Sequence, residues 1–229
     1  MQSKAVIFDL DGTLFDHSGS VQDALRTWLP TIGMEPTPEG IARWFSLEER
    51  HYDRWTRGEI SFKEQRRERM RDFLTDSGRK AMTDDELDAE FERFLYHYRA
   101  AWRPFEDVDV CIEALTAMRL RLAVVTNGQT DQQRAKLRSI KLLSSFDQVV
   151  TSEAVGVAKP EAAIYVAACD AMSLAPEECL FVGDNYELDV LGPRHIGMPA
   201  VHLARVGQTE PPDDLRITSL AQLPGLITA

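Results

Sequence analysis

The chain has 229 residues, 44% of them hydrophobic and 28% charged, which fits one globular unit or one core carrying a sizeable insertion. Its 26 basic and 37 acidic residues leave a net charge of −11, which argues against nucleic acid or an anionic membrane as a partner. No run reaches the roughly 18 apolar residues of a bilayer span. Cys111, Cys169 and Cys179 are odd in number with no CxxC pair, suggesting neither a disulfide framework nor a zinc site but small buried side chains. A soluble, unprocessed chain in a reducing cytoplasm is the expectation.

Taken in chain order, Lys4 to Asp11 (KAVIFDLD) is β-branched, aromatic and nearly all apolar before its acids, and Gly12-Thr13 follows at once. A fully buried parallel strand looks like this, and its carboxylates should emerge at its C-terminal end.

From about residue 15 to 102 no convincing strand is found. Helix starts are marked by Thr37-Pro38, by Ser61 with Glu64 and by Thr83 with Glu86, the last two with capping-box spacing. Trp44, Phe45, Trp55, Phe62, Phe73, Phe91, Phe94 and Leu95 supply the apolar faces of these helices. The reading is a helical bundle over 15–102, inserted into a core made of 1–14 and 103–229.

In that core, strands are expected at Leu122 to Thr126, Cys179 to Val182 and Ala200 to Leu203, and a weaker one at Gln148 to Thr151. Thr130 and Gln133 have the spacing of a capping box before a helix over Ala135 to Leu142, and Pro160 suits the first turn of a helix running to about Met172. Strands alternating with helices predict a parallel α/β sheet. Pro211-Pro212-Asp213-Asp214 reads as a turn or short loop.

Four groups of polar residues fall at the ends of these strands, where open α/β sheets bind ligands. Asp9 and Asp11 leave the first strand two residues apart, so their carboxylates can share a face, while Gly12 allows close approach of the backbone. Two acids ending a buried strand are costly without a role. Thr126-Asn127-Gly128 offers a hydroxyl, an amide and backbone N–H groups before a helix. Lys159 is a cation just before another helix. Asp184 and Asp189 close the strand Cys179 to Val182 and, facing Asp9, would complete an oxygen-rich cation site. Each group has a plainer reading, as solvated loop, cap or surface charge; their shared location favours the chemical one. Hard oxygen donors without a His or Cys cluster favour Mg²⁺ over zinc.

In four ordered motifs, DLDGTLFD at 9–16, VVTNG at 124–128, AKP at 158–160 and VGDNYELD at 182–189, the chain resembles the haloacid dehalogenase superfamily over essentially its whole length, specifically its phosphatases with a helical cap inserted after the first motif. The resemblance implies a Rossmann-like doubly wound parallel sheet with that cap. It implies Asp9 as nucleophile, forming an aspartyl-phosphate, and Asp11 as general acid and base. Thr126, Asn127 and Lys159, with Gly12, would hold the phosphoryl group. Asp9, the backbone carbonyl of Asp11 and Asp184 would bind magnesium, supported by Asp189. The substrate would be a small phosphorylated metabolite, a sugar phosphate or nucleotide, and the protein a monomer or homodimer.

Substrate choice is expected in the cap, where Arg43, Arg54, Arg57, Arg66 and Arg67 are candidates for anionic groups. Arg57, in the turn Trp55 to Ile60 (WTRGEI), is singled out. Three other readings compete. A phosphomutase needs the same residues but shields the aspartyl-phosphate from water. A dehalogenase of this superfamily lacks the second aspartate, which is present here as Asp11. A noncatalytic platform would have no use for the full set.

Overall fold

The computed structural model describes residues 3–76, 81–205 and 215–227. The segment Pro211 to Asp214, read above as a turn, lies outside the described residues. The chain divides into two compact units, one formed by Met1–His17 and Trp102–Ala229, the other by Ser18–Ala101.

In chain order the elements are β1 (Ala5–Phe8), then helices α1 (His17–Trp28), α2 (Pro38–Thr56), α3 (Phe62–Asp76), α4 (Asp84–Ala100) and α5 (Val108–Ala117). There follow β2 (Arg121–Thr126), α6 (Thr130–Ser139), β3 (Gln148–Thr151), α7 (Ser152–Val155), α8 (Ala162–Met172) and β4 (Cys179–Gly183). A π-helical turn, Tyr186–Leu191, leads on to β5 (Ala200–Leu203) and β6 (Arg216–Ile217).

The six strands form one sheet in the order β3-β2-β1-β4-β5-β6, every pair parallel, with helices on both sides. All five expected strands are present; the two-residue β6 is too short to have left a signal. β1 is fully buried and shorter than the apolar run suggested, ending at Phe8. Alternation sends Ala5 and Ile7 to the face that also carries Ala123, Val125 and Phe181. Against that face α8 buries Ile164, Tyr165, Ala168, Cys169 and Met172, one stripe of a helix. The strand order reverses between β1 and β4, whose carboxyl ends therefore flank the crevice of a doubly wound sheet.

Two local expectations are corrected. Pro160 is not in the first turn of α8, which starts at Ala162 with Glu161 as its N-cap; Pro160 stands in the preceding turn, after a cis peptide bond. Thr130 and Gln133 make no capping box. The hydroxyls of Thr130 and Thr151 are 2.7 Å apart and the Thr130 N–H donates to Glu153, so a neighbouring strand and helix satisfy the start of α6, which ends at Ser139. Gln133 turns inward instead.

In the helical unit the three expected starts are found. Thr37 caps α2 by accepting from Gly40 N–H, Ser61 and Glu64 exchange reciprocal bonds before α3, and Thr83 and Glu86 do so at α4. Trp44, Phe73, Phe91, Phe94 and Leu95 are buried, whereas Phe45, Trp55 and Phe62 are only half-buried. The centre of the packing is a residue the sequence did not single out, Trp28, set edge-on to Trp44 and Phe94 and donating from Nε1 to the buried Glu90 at 2.8 Å. Among the described residues no helix is long and apolar enough to cross a membrane. The three cysteines are buried, with Cys169 and Cys179 sulfurs 4.0 Å apart.

Candidate active site

Asp9 prolongs the pairing of β1 by one bond, its N–H donating to Val182 O, and the chain then folds over itself. The carbonyl of Leu10 accepts from the N–H groups of Thr13, Leu14 and Phe15. Gly12 has φ +88°, and a Cβ there would collide with the carboxylate of Asp184. Only glycine meets both demands. Arg205 braces the loop from outside, donating to the carbonyls of Gly12 (3.2 Å) and Thr13 (2.7 Å) while its guanidinium lies over the Phe105 ring and pairs with Asp107. Neither Arg205 nor Asp107 was legible as part of the site.

Lys159 is buried, and its ammonium donates to Asp9 Oδ1 at 2.6 Å and to Asp189 Oδ1 at 2.7 Å. Asn127 fixes it there: the side-chain amide donates to Lys159 O and its oxygen accepts from Lys159 N–H at 2.8 Å. That amide thus holds the lysine's main chain.

Asp189 accepts from Asn185 N–H as well, and a Cβ at Gly183 would strike its carboxylate. The Tyr165 hydroxyl donates to Leu188 O, securing the π-helical turn. Asp184 accepts from the Thr13 hydroxyl at 3.3 Å, and His202 Nε2 lies 3.2 Å from its main-chain oxygen. Asp9, Asp184 and Asp189 each offer a carboxylate oxygen within 4.8 Å of the others. Burial pushes the Asp9 carboxyl up, Lys159 pulls against it and the Asp189 and Asp184 charges add to the push, leaving it at about 8. A cation among the three would reverse that balance.

Asp11 does not share the lysine of Asp9. Its carboxylate accepts from Lys136 Nζ at 2.6 and 2.8 Å and from Gln133 Nε2 at 3.0 Å. The same Gln133 amide donates to the hydroxyl of buried Thr126 at 2.7 Å. Burial would raise the Asp11 carboxyl, but Lys136, His17 and Gln133 outweigh it and hold it below the usual carboxylate range. Lys136 and Gln133 face the same way from α6, one turn apart; nothing in the sequence distinguishes them from surface residues of a polar helix. Asp9, Asp11, Thr126 and Asp184 thus gather at the C-terminal ends of β1, β2 and β4 and the loops that follow, and Lys159 joins Asp9 from the loop between α7 and α8. Arg57 belongs to the helical unit, where it ends α2 and donates to Glu59 at 2.8 Å.

The sheet and the acids at the ends of β1 and β4 define a doubly wound α/β protein whose polar site lies at the carboxyl ends of its strands. The family model of the haloacid dehalogenase-like hydrolases matches residues 3–197, and the chain belongs to that family. It is 32% identical over 202 residues to a glyceraldehyde 3-phosphate phosphatase of Methanothermobacter thermautotrophicus, covering 86% of this chain and 84% of that one. It is 31% identical over 210 residues to an (S)-2-haloacid dehalogenase of Xanthobacter autotrophicus, covering 90% and 76%. Among solved structures, YfnB of Bacillus subtilis, bound to magnesium, superposes with a TM-score of 0.83 over the whole of both chains at 20% identity, a likeness of fold.

Proposed function

We propose that this chain is a magnesium-dependent phosphatase that hydrolyses a small phosphate monoester, a sugar phosphate, nucleotide or similar metabolite, through an aspartyl-phosphate on Asp9. The observation that carries the reading is that two carboxylates two residues apart are held by two different buried lysines, Asp9 by Lys159 and Asp11 by Lys136. Such a pair can divide the work of nucleophile and proton carrier.

A carboxylate oxygen of Asp9 forms the bond to phosphorus as the bond to the leaving oxygen breaks, and Asp11 gives that oxygen a proton, for which its carboxyl, held ionised by Lys136 in this structure, must first be protonated. A water then loses a proton to Asp11 and attacks phosphorus, freeing Asp9 and inorganic phosphate. Lys159 and the Thr126 hydroxyl take the phosphoryl oxygens, with Asn127 fixing Lys159 and Gly12 leaving room for the group.

The donor set fits a hard cation: three carboxylates converge, the cluster has no His or Cys, and Gly12 keeps the space beside Asp184 clear. Asp9, Asp184 and the Asp11 carbonyl would hold magnesium, with Asp189 in support. When bound it supplies positive charge that screens the phosphate dianion from Asp9. We assign the choice of leaving group to the helical unit, in the role of a cap, with Arg57 for anionic groups; unchanged kinetics in Arg57→Ala would remove it from that role.

The similarity to the Xanthobacter dehalogenase favours testing halide chemistry as well. Asp11, which the dehalogenases of the resemblance lack, weighs against it. The test is phosphate release, with and without magnesium, from sugar phosphates, nucleotides, phosphoglycolate and a nitrophenyl phosphate, using native protein and Asp9→Asn, with halide release from 2-chloropropionate in parallel. Release that needs both magnesium and Asp9 supports the proposal. Halide without phosphate would make it a dehalogenase, and transfer between sugar hydroxyls with little free phosphate would make it a mutase.

A further inference from the structure

We propose that Lys136 and Gln133 are positioning residues that act through Asp11, aiming its carboxylate and tying it to the phosphate-binding hydroxyl of Thr126; the inference rests on the phosphatase reading above.

Lys136 is nearly inaccessible, with 3% of its side chain exposed. A buried ammonium is costly unless a charge and hydrogen bonds compensate it. Compensation comes from both oxygens of Asp11, at 2.6 and 2.8 Å, and the ammonium lies 5.0 Å from the centre of the Phe15 ring. Two bonds from one cation to two carboxylate oxygens limit rotation about the Cβ–Cγ bond. Gln133 adds a third bond to Oδ2. Because its single nitrogen also donates to Thr126 Oγ1, a shift of Asp11 must be felt at the hydroxyl expected to hold a phosphoryl oxygen. α6 therefore links two motifs that are 115 residues or more apart in sequence, and neither of its two residues needs to touch substrate.

A group that acts through another loses its effect when that other is removed, whereas a group that only supports the fold does not. The experiment is a double-mutant cycle. Lys136→Met is measured in the native background and in Asp11→Asn, with nitrophenyl phosphate, whose leaving group departs without protonation, as substrate and nitrophenol release as signal. With that leaving group the acid role of Asp11 is not called on and its base role toward water remains; proton transfer of this kind contributes on the order of 10² to 10⁴, so we expect Lys136→Met to lower kcat in the native background by roughly 10²-fold with KM changed by less than about threefold. In Asp11→Asn the same substitution should change the rate by less than about threefold. Equal losses in both backgrounds, or no loss in the native one, overturn the inference. If Lys136→Met does not fold, Gln133→Met, which leaves the ion pair in place, is put through the same cycle and judged by the same criterion. Native protein that is active while the cycle is additive removes only this inference; native protein inactive on every phosphate ester removes the phosphatase reading and this inference with it.

Discussion

The ammonium of Lys159 lies 2.6 Å from Oδ1 of Asp9, and both side chains are buried. The pair joins a loop after β3 to the end of β1, and Asp189 shares the same cation. Removing the cation leaves three neighbouring carboxylates to repel one another.

Lys159→Met is therefore expected to lose both function and stability. The rate of phosphate release should fall by about 10²- to 10³-fold, as for loss of one preorganised charge-stabilising group. Breaking a buried pair on one side should lower stability by about 3 kcal/mol. Steady-state kinetics and denaturant unfolding measure the two separately.

The raised Asp9 carboxyl predicts a proton linkage to magnesium. Below about 8 the metal-free protein holds a proton on Asp9 that bound magnesium must displace. Affinity should rise with pH, by up to tenfold per unit, and level off above 8. In metal-free protein the folded chain holds this proton while the unfolded chain, with an ordinary carboxyl near 3.9, has lost it. The Asp9 contribution to stability is thus fully present below about 4 and lost as pH rises to about 8. Asp9→Asn should accordingly gain on the native protein across that window. Calorimetric magnesium titrations and paired melts from pH 5 to 9 test both statements.

Gly12→Ala should fold poorly or not act. The residue sits at φ +88° and its new methyl would meet the Asp184 carboxylate, so the penalty exceeds the roughly 1 kcal/mol of an incompatible glycine replacement. A variant with native melting temperature and native activity would show the loop to be far more pliable than its bonds imply.

Asp107 should govern part of the acid stability. Burial alone would raise its carboxyl, but Arg205, Ser219 and the Leu220 N–H hold it below the usual range. Its contribution is present above about 3.9 and lost as pH falls below that value toward the depressed folded pKa. Asp107→Asn should be less stable near neutrality by about 1 to 3 kcal/mol, and the gap to the native protein should close below pH 4. Urea unfolding of both proteins at pH 7 and pH 3 reads this difference.

Much of the site can be read from the residues in order, because the chemistry is written next to apolar strands. KAVIFDLD, CLFVGD and the pair of acids after each mark where strands end and charge begins, and burial of both faces of a parallel sheet forces such runs to be nearly unbroken. Local capping is equally legible at Thr37, Ser61 and Thr83, where donor and acceptor are three residues apart. The same local logic misled at Thr130 and Gln133, since a side chain that can cap a helix can also be claimed by a distant partner.

The sequence by itself determined which segments become strands and helices, and marked Asp9, Asp11, Thr126 and Asp184 as polar residues released at strand ends. Tertiary structure alone decided which lysine serves which aspartate. Asp9 and Lys159 are 150 positions apart and Asp11 and Lys136 are 125 apart, and no periodicity or propensity acts over such separations. Whether a lysine is solvated or buried against a carboxylate depends on where the sheet order β3-β2-β1-β4 brings its loop and on the low-dielectric surroundings it finds there. That pairing is settled only when the fold closes.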